Sequence, residues 1–235
     1  MKKSLAYIGM FLIIVIFGII VIPTISQRMK EGAVVEDNRS ASALPLSYLK
    51  INGEPRKVPD FLLRNQDSLL ISNDDYLGKV YVVEFFFTRC PSICPIMNQN
   101  MKRIDSTFAQ RNDFGIASIT IDPEYDSPRV LKEYASRYEV QSPNWNFLTA
   151  DRETVYSLAN EGFNIFATVN PNVPGGFEHQ GYFALVDKKG FLRSRTDVFG
   201  NPKVYYSGIN DVNPDGTNDI NLLLQDIKQL LNETP

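Results

Sequence analysis

The sequence predicts an α/β protein with a mixed central sheet flanked by helices, preceded by an N-terminal β extension and a single transmembrane anchor. Three observations predict it. Val80 to Phe87 is a run of β-branched and aromatic residues with no polar face, as a strand covered on both sides requires. Strand-like and helix-like patterns then alternate from Val80 to Asn160. Finally, Gly181 to Asp187 and Phe191 to Arg195 flank the turn Lys188-Lys189-Gly190, which reads as an antiparallel pair.

Each element can be justified in order. Leu5 to Ile22 is apolar and uncharged, behind Lys2 and Lys3. At about 1.5 Å per residue, a helix of this length approaches the roughly 30 Å of a hydrocarbon core. No small-residue cleavage site follows it, so a retained anchor over 1–27 is expected rather than a cleaved leader. The charged amino terminus places the N-terminus inside and the bulk of the chain outside the cytoplasmic membrane, on the periplasmic side. Residues 28–45 lack periodicity and read as a linker, which leaves 46–235 as the globular domain. Leu46 to Phe61 is extended and turn-rich, with Asn52-Gly53 as a hairpin turn. A second hairpin-like segment follows Asp60 to Asp67, and Leu77-Gly78-Lys79 introduces the central strand.

After Pro95 the pattern becomes helical, with Ile96, Asn100 and Ile104 on one face and Met97 and Met101 beside it. Phe114 to Ile121 is a buried strand ending at Asp122-Pro123. Ser127 and Pro128 are the N-cap and N1 signals of a helix through Tyr138. Trp145 to Leu148 is a short strand. Asp151 to Asn160 is a helix with Val155, Leu158 and Ala159 inward, stopped at Gly162. Ile220 to Leu231 is an amphipathic closing helix. The polar segment from Asp197 to Asn218 receives no assignment.

Composition narrows the function. A net charge of −3 over 235 residues, without a long basic run, argues against a nucleic-acid partner. Two cysteines cannot build a disulfide-rich scaffold, so their closeness points to redox chemistry, metal binding or two buried structural thiols. Cys90 and Cys94 stand where the central strand hands over to a helix, the edge at which open α/β sheets place ligands. Four apart on a helical turn, they share a face with Cα atoms about 6 Å apart, close enough for a disulfide if the turn is irregular. The helix N-terminus favours the thiolate, which both attacks disulfides and binds metals. The single histidine, His179, precedes a strand expected beside the central one, where it can face the cysteine loop. Structural zinc wants four protein ligands, and the chain has no further Cys or His. Two thiolates and an imidazole suit copper. Met97 and Met101 read as core rather than thioether ligands. Asp122, on the same carboxyl edge, is either a group behind the ligands or only a turn residue.

The segments F-F-F-T-R-C-P-S-I-C-P-I-M, I-D-P-E-Y-D-S-P-R-V-L-K-E-Y-A and N-F-L-T-A-D, then a histidine before A-L-V-D-K-K-G, resemble the Sco/SenC family from Pro59 to Arg195. That resemblance implies a thioredoxin-like fold and a membrane-tethered protein that assists copper-site assembly in cytochrome c oxidase. It places copper ligands at Cys90, Cys94 and His179, a thiol–disulfide pair at the same cysteines, and the aspartate of the family's D-P segment at Asp122. Ser92 stands where family members often carry Asp, and Gln180 where a small hydroxyl residue commonly follows the histidine.

Two functions follow as expectations. The first is a copper chaperone that passes its metal by ligand exchange to the copper-receiving subunit of the oxidase, with another copper carrier or a thiol reductant as a further partner. The second is a thiol–disulfide oxidoreductase that keeps that subunit's cysteines reduced, with Cys90 and Cys94 as the redox pair and His179 tuning them. A peroxide-reducing enzyme is a weaker third, since nothing beyond the thiols marks a peroxide pocket.

Overall fold

A computed structural model of the chain describes residues 45–196, 201–209 and 216–233, together with Phe17. The chain divides into two compact units, Met1–Leu44 and Pro45–Pro235, and the second holds every strand and helix named below. The expected anchor over 1–27 lies outside the described residues apart from Phe17. No helix among the described residues is long and apolar enough to cross a membrane.

The N-terminal extension comprises β1 (Ser47–Tyr48), β2 (Lys50–Ile51) and β3 (Glu54–Pro55). β4 (Leu62–Asn65) and β5 (Leu70–Ser72) form a hairpin, and a 3₁₀ turn, Asn73–Tyr76, leads to β6 (Val80–Phe86). Then come α1 (Cys94–Phe108), β7 (Phe114–Thr120), α2 (Pro128–Arg137), β8 (Trp145–Thr149) and α3 (Arg152–Ser157), which runs on into a wide π turn, Leu158–Phe163. β9 (Ala167–Val169), β10 (Phe177–His179), β11 (Tyr182–Val186), β12 (Leu192–Ser194), β13 (Tyr206–Ser207) and α4 (Asp219–Asn232) complete the order.

The main sheet runs β1-β12-β11-β6-β7-β8-β4-β5, with β13 also pairing β11. β6, β7 and β8 are parallel, and β11 closes antiparallel on β6. This is the mixed, thioredoxin-like α/β arrangement. All seven residues of β6 and all seven of β7 are buried, as expected of strands that are apolar apart from Glu84, Ser118 and Thr120. Successive β6 residues reach opposite faces: Phe86 packs edge-on against Phe147 at 5.7 Å, while Phe85 meets Phe163 of the π turn at 5.7 Å. Between β2 and β3, Asn52 and Gly53 have φ of 51° and 88°, the left-handed pair of a tight hairpin turn. β13 lies in the segment that the sequence left unassigned. Its two residues pair with Tyr182 and Phe183.

Two expectations are corrected. Ile96 is 43% exposed, because the buried stripe of α1 runs through Met97, Met101, Ile104 and Phe108 and leaves Ile96 outside it. The helix after Asp151 does not stop at Gly162. It widens into the π turn and ends at Asn164, whose left-handed φ of 53° breaks the helix. Gly162 instead serves close packing: a Cβ there would meet Leu158 Cδ1 at 3.1 Å and Pro59 Cγ at 3.2 Å.

Glu84 is the odd residue of β6, fully buried between apolar neighbours. Its Oε1 accepts from the Ser118 hydroxyl at 2.6 Å, and Ser118 in turn accepts from Trp145 Nε1 at 2.9 Å. Oε2 has no partner. Burial pushes the carboxyl up to about 7, with the Ser118 bond opposing it. A folded-state value above the unfolded one means that the proton is held more tightly in the native protein. The associated stability is fully present below the unfolded value of about 4.3 and is lost as pH rises through about 7. Glu84→Gln, which stays neutral, is therefore expected to gain stability over wild type by on the order of 3 kcal/mol between about pH 4 and pH 8. Paired urea denaturation curves at the two pH values measure this; a difference independent of pH would mean that Glu84 does not change charge in the fold.

Candidate metal centre

Two segments 85 residues apart build the site. The first is the loop from Phe87 into α1. Cys90 N–H donates to Phe87 O at 3.2 Å, a turn that brings the thiol back over the end of β6. Cys94 is the first residue of α1, with Pro95 in the first turn, where a missing N–H costs nothing. Cys94 N–H points at Cys90 Sγ at 3.4 Å, so the helix N-terminus faces the first sulfur. Asn98, one turn later, donates from Nδ2 to Cys94 O at 2.9 Å and to Tyr134 Oη at 3.2 Å, which fixes the start of the helix against α2.

The second segment is β10. The sequence placed His179 in a loop before a strand; it lies instead at the end of a strand, in a separate two-stranded ribbon with β9. His179 Nε2 lies 3.2 Å from Cys94 Sγ. Its Nδ1 lies 3.2 Å from Gln180 O, and because a carbonyl only accepts, Nδ1 carries the proton and Nε2 presents its lone pair to the sulfurs. Phe87 packs against the imidazole at 5.9 Å and against Phe177 at 5.2 Å. The β9–β10 turn presses closely on the cysteine loop: a Cβ on Gly175, at φ 90°, would come within 2.9 Å of Phe87 Cε2 and 3.0 Å of Pro91 Cδ.

One ligand atom each from Cys90, Cys94 and His179 lies within 4.8 Å of the others. Both thiols are free. Cys94 is fully buried, Cys90 is 8% exposed and His179 is half-buried, so solvent reaches the cluster chiefly at His179. The sulfurs differ in charge. The Cys94 thiol, first among the causes, and then the Cys94 and Ser92 amides pull Cys90 down to about 3, against the opposing effect of its own burial. Burial, then the neighbouring Cys90, pushes Cys94 up. The pair is a thiolate and a thiol. Ser92 Oγ sits 3.7 Å from Cys90 Sγ, an added neutral dipole beside the charged sulfur.

Asp122 is not in this cluster. Its Oδ2 accepts from Arg89 Nη2 at 2.5 Å and Nε at 3.2 Å, and the guanidinium lies 4.0 Å over the Tyr125 ring. It thus holds the residue next to Cys90 rather than the sulfur itself. Asp126, which the sequence analysis did not single out, grips the loop more deeply. Fully buried, it accepts from Thr88 N–H at 3.0 Å, from the Thr88 hydroxyl, and from the Thr120 hydroxyl at 2.5 Å. The signal was present in D-P-E-Y-D-S-P, where a second aspartate follows the first by four residues. Met97 and Met101 are fully buried in the core.

Comparison with known proteins agrees with this geometry. The family profile described as SCO1/SenC matches residues 50–213. A SCO1 protein homolog of Bacillus subtilis is 32% identical over 148 residues, covering 62% of this chain and 72% of the relative. The structure of BsSco, described as a member of the Sco family of cytochrome c oxidase assembly proteins with a disulfide switch, superposes with a TM-score of 0.62. It is 26% identical, over 76% of this chain and 95% of that one. Yeast Sco1 with copper bound shares the fold, with a TM-score of 0.55 and 24% identity over 77% of this chain and 92% of that one.

The charge asymmetry is directly testable. The reduced protein is expected to keep one thiolate's ultraviolet absorbance at about pH 5, well below the ordinary thiol range of about 8.5, and Cys90→Ser should remove it. A single titration near 8.5 would show that the sulfurs are not paired as described.

Proposed function

The chain belongs to the SCO1/SenC family, and on that premise we propose that it is a copper chaperone that binds one copper through Cys90, Cys94 and His179 and delivers it to the copper-receiving subunit of cytochrome c oxidase. The observation that carries this reading is the convergence of two sulfurs and one imidazole nitrogen within 4.8 Å, with both cysteines buried and the histidine half-buried. Thiolates select soft Cu(I), and imidazole is acceptable to copper. Cys90 supplies a preformed thiolate, while Cys94 must release its proton to bind. His179 arrives with Nε2 free because Nδ1–H faces the Gln180 carbonyl. Three protein ligands leave room for a donor of the recipient to join before one of the chain's own lets go. The expected anchor over 1–27, with its apolar run from Leu5 to Ile22, would tether the domain to the membrane where its recipient lies.

A second reading is favoured by the thiolate–thiol asymmetry. As a thiol–disulfide oxidoreductase, the chain would use Cys90 thiolate to attack a partner's disulfide, forming a mixed disulfide and releasing one partner thiolate. Cys94, once deprotonated, would attack Cys90 Sγ, close the Cys90–Cys94 disulfide and release the second partner thiolate. The partner gains two electrons, and a thiol reductant must return them.

Anaerobic loading of the reduced chain in the presence of a competing chelator separates the two readings. One tightly held copper per wild-type chain is expected, with weakening of about 100-fold or more in His179→Ala while the cysteines remain redox-competent. Copper binding indifferent to His179 would transfer the assignment to the thiol–disulfide reaction.

A further inference from the structure

His179 is the donor that the main sheet does not hold. In the β9–β10 ribbon it lies directly opposite Ala167. The backbone of Ala167 is engaged on its far edge by one side chain. Ala167 N–H donates to Asn160 Oδ1 at 3.0 Å, and Asn160 Nδ2 donates to Ala167 O at 3.0 Å. Nδ2 also donates to Tyr156 O at 3.0 Å. The amide thus pairs with β9 as a neighbouring strand would, and both kinds of hydrogen-bonding group that an Asn carries are used.

The π turn aims this side chain. Arg56 Nη2 donates to Glu161 O at 2.5 Å and Gly162 O at 2.6 Å, and the Tyr205 hydroxyl donates to Phe163 O. The turn is pinned at three successive carbonyls just beyond Asn160. At the ribbon's base, Phe166 N–H donates to Gln180 Oε1 at 3.0 Å and Gln180 N–H donates to Phe166 O at 3.1 Å, adjoining the Ala167–His179 pair. A π turn inside a helix often marks a functional position. Here it carries a bracket that ends one residue pair away from an imidazole in the metal cluster.

We propose that Asn160 is a positioning residue for His179, holding β9 so that Nε2 stays within reach of the two sulfurs. The inference rests on His179 being a copper ligand and extends that reading to a residue that touches neither the metal cluster nor its loop.

The test compares reduced full-length wild type, Asn160→Ala, His179→Ala and the double variant in Cu(I) competition with a chelator. Asn160→Ala is expected to weaken binding by about 10–100-fold, the usual effect of losing a group that orients a ligand. The Cys90–Cys94 reduction potential should stay at the wild-type value. In the double variant the Asn160 effect should vanish, because the residue acts through the imidazole. Wild-type affinity in folded Asn160→Ala, or a full additive loss in the double variant, overturns the proposal. Asn160→Asp keeps the acceptor for Ala167 N–H but sets a carboxylate oxygen against the Ala167 and Tyr156 carbonyls; it must weaken binding too, and carries the comparison if Asn160→Ala does not fold. A metal-free measurement separates the two readings. Hydrogen exchange at Gln180 N–H should accelerate at least about tenfold in Asn160→Ala, with α1 unchanged. Unchanged exchange overturns the positioning role. Accelerated exchange in a protein whose wild type binds no copper supports the bracket and sinks the copper reading alone.

Discussion

A strand paired along both edges and buried on both faces has nowhere to shift, and β6 is such a strand. β7 runs parallel to it through seven consecutive register pairs, and β11 runs antiparallel on the other edge. Its last residue therefore sits at a fixed point, and the cysteine loop departs from that point. Asp126 extends the constraint by one turn, since a single buried carboxylate joins Thr88 of the loop to Thr120 at the end of β7. The loop needs little rigidity of its own. It inherits position from the two strands, and Pro91, Pro95 and the first turn of α1 settle the remainder.

The site then works by inequality between two chemically identical side chains. Cys90 lies at the mouth of the cluster, with amide N–H groups and a neighbouring thiol aimed at it, and so carries charge. Cys94 lies behind it without exposure and keeps its proton. Both candidate functions need this arrangement: an outer sulfur ready to meet an incoming group, and an inner one that engages second. Electrostatics alone does not choose between a metal and a disulfide as that group. On the chaperone reading the imidazole does, because a nitrogen lone pair aimed at the sulfurs completes a soft three-donor set but is not required for exchange between sulfurs.

Much of this was legible in the sequence, for local reasons. The apolar run from Val80 declared a doubly buried strand, and Cys-x3-Cys between two prolines declared the loop and helix start. The chain's scarcity of other donors left His179 as the third partner. What could not be read depended on contacts distant in sequence or on backbone shape. Ile96 looked like part of the buried stripe because it stands on the same side of the helix as Asn100 and Ile104, whereas the stripe is centred on Met97, Met101 and Phe108. Gly162 looked like a stop because a glycine chosen for close packing and one chosen for a turn are the same letter. β9 and β10 are three residues each and flank a loop of Asn, Pro and Gly, too short for any alternation to show. Asp126 reads as a turn residue until Thr88, 38 positions earlier, is seen to donate to it.

Among the described residues, the ribbon that carries His179 shares no ladder with the nine-stranded sheet. Its opening would break its own few hydrogen bonds, those to Asn160 and Gln180, and the packing of Phe177 and His179 on Phe87, far less than global unfolding breaks, and local openings of this kind are the low-energy excursions of a folded protein. On the chaperone reading, the residence time of a bound ion would then depend on how often the ribbon lifts, rather than on metal–ligand bond strength alone. Capture and surrender would then share one device: the sulfurs supply the fixed part of the grip, and the ribbon decides both how much the third donor adds and how soon it is withdrawn.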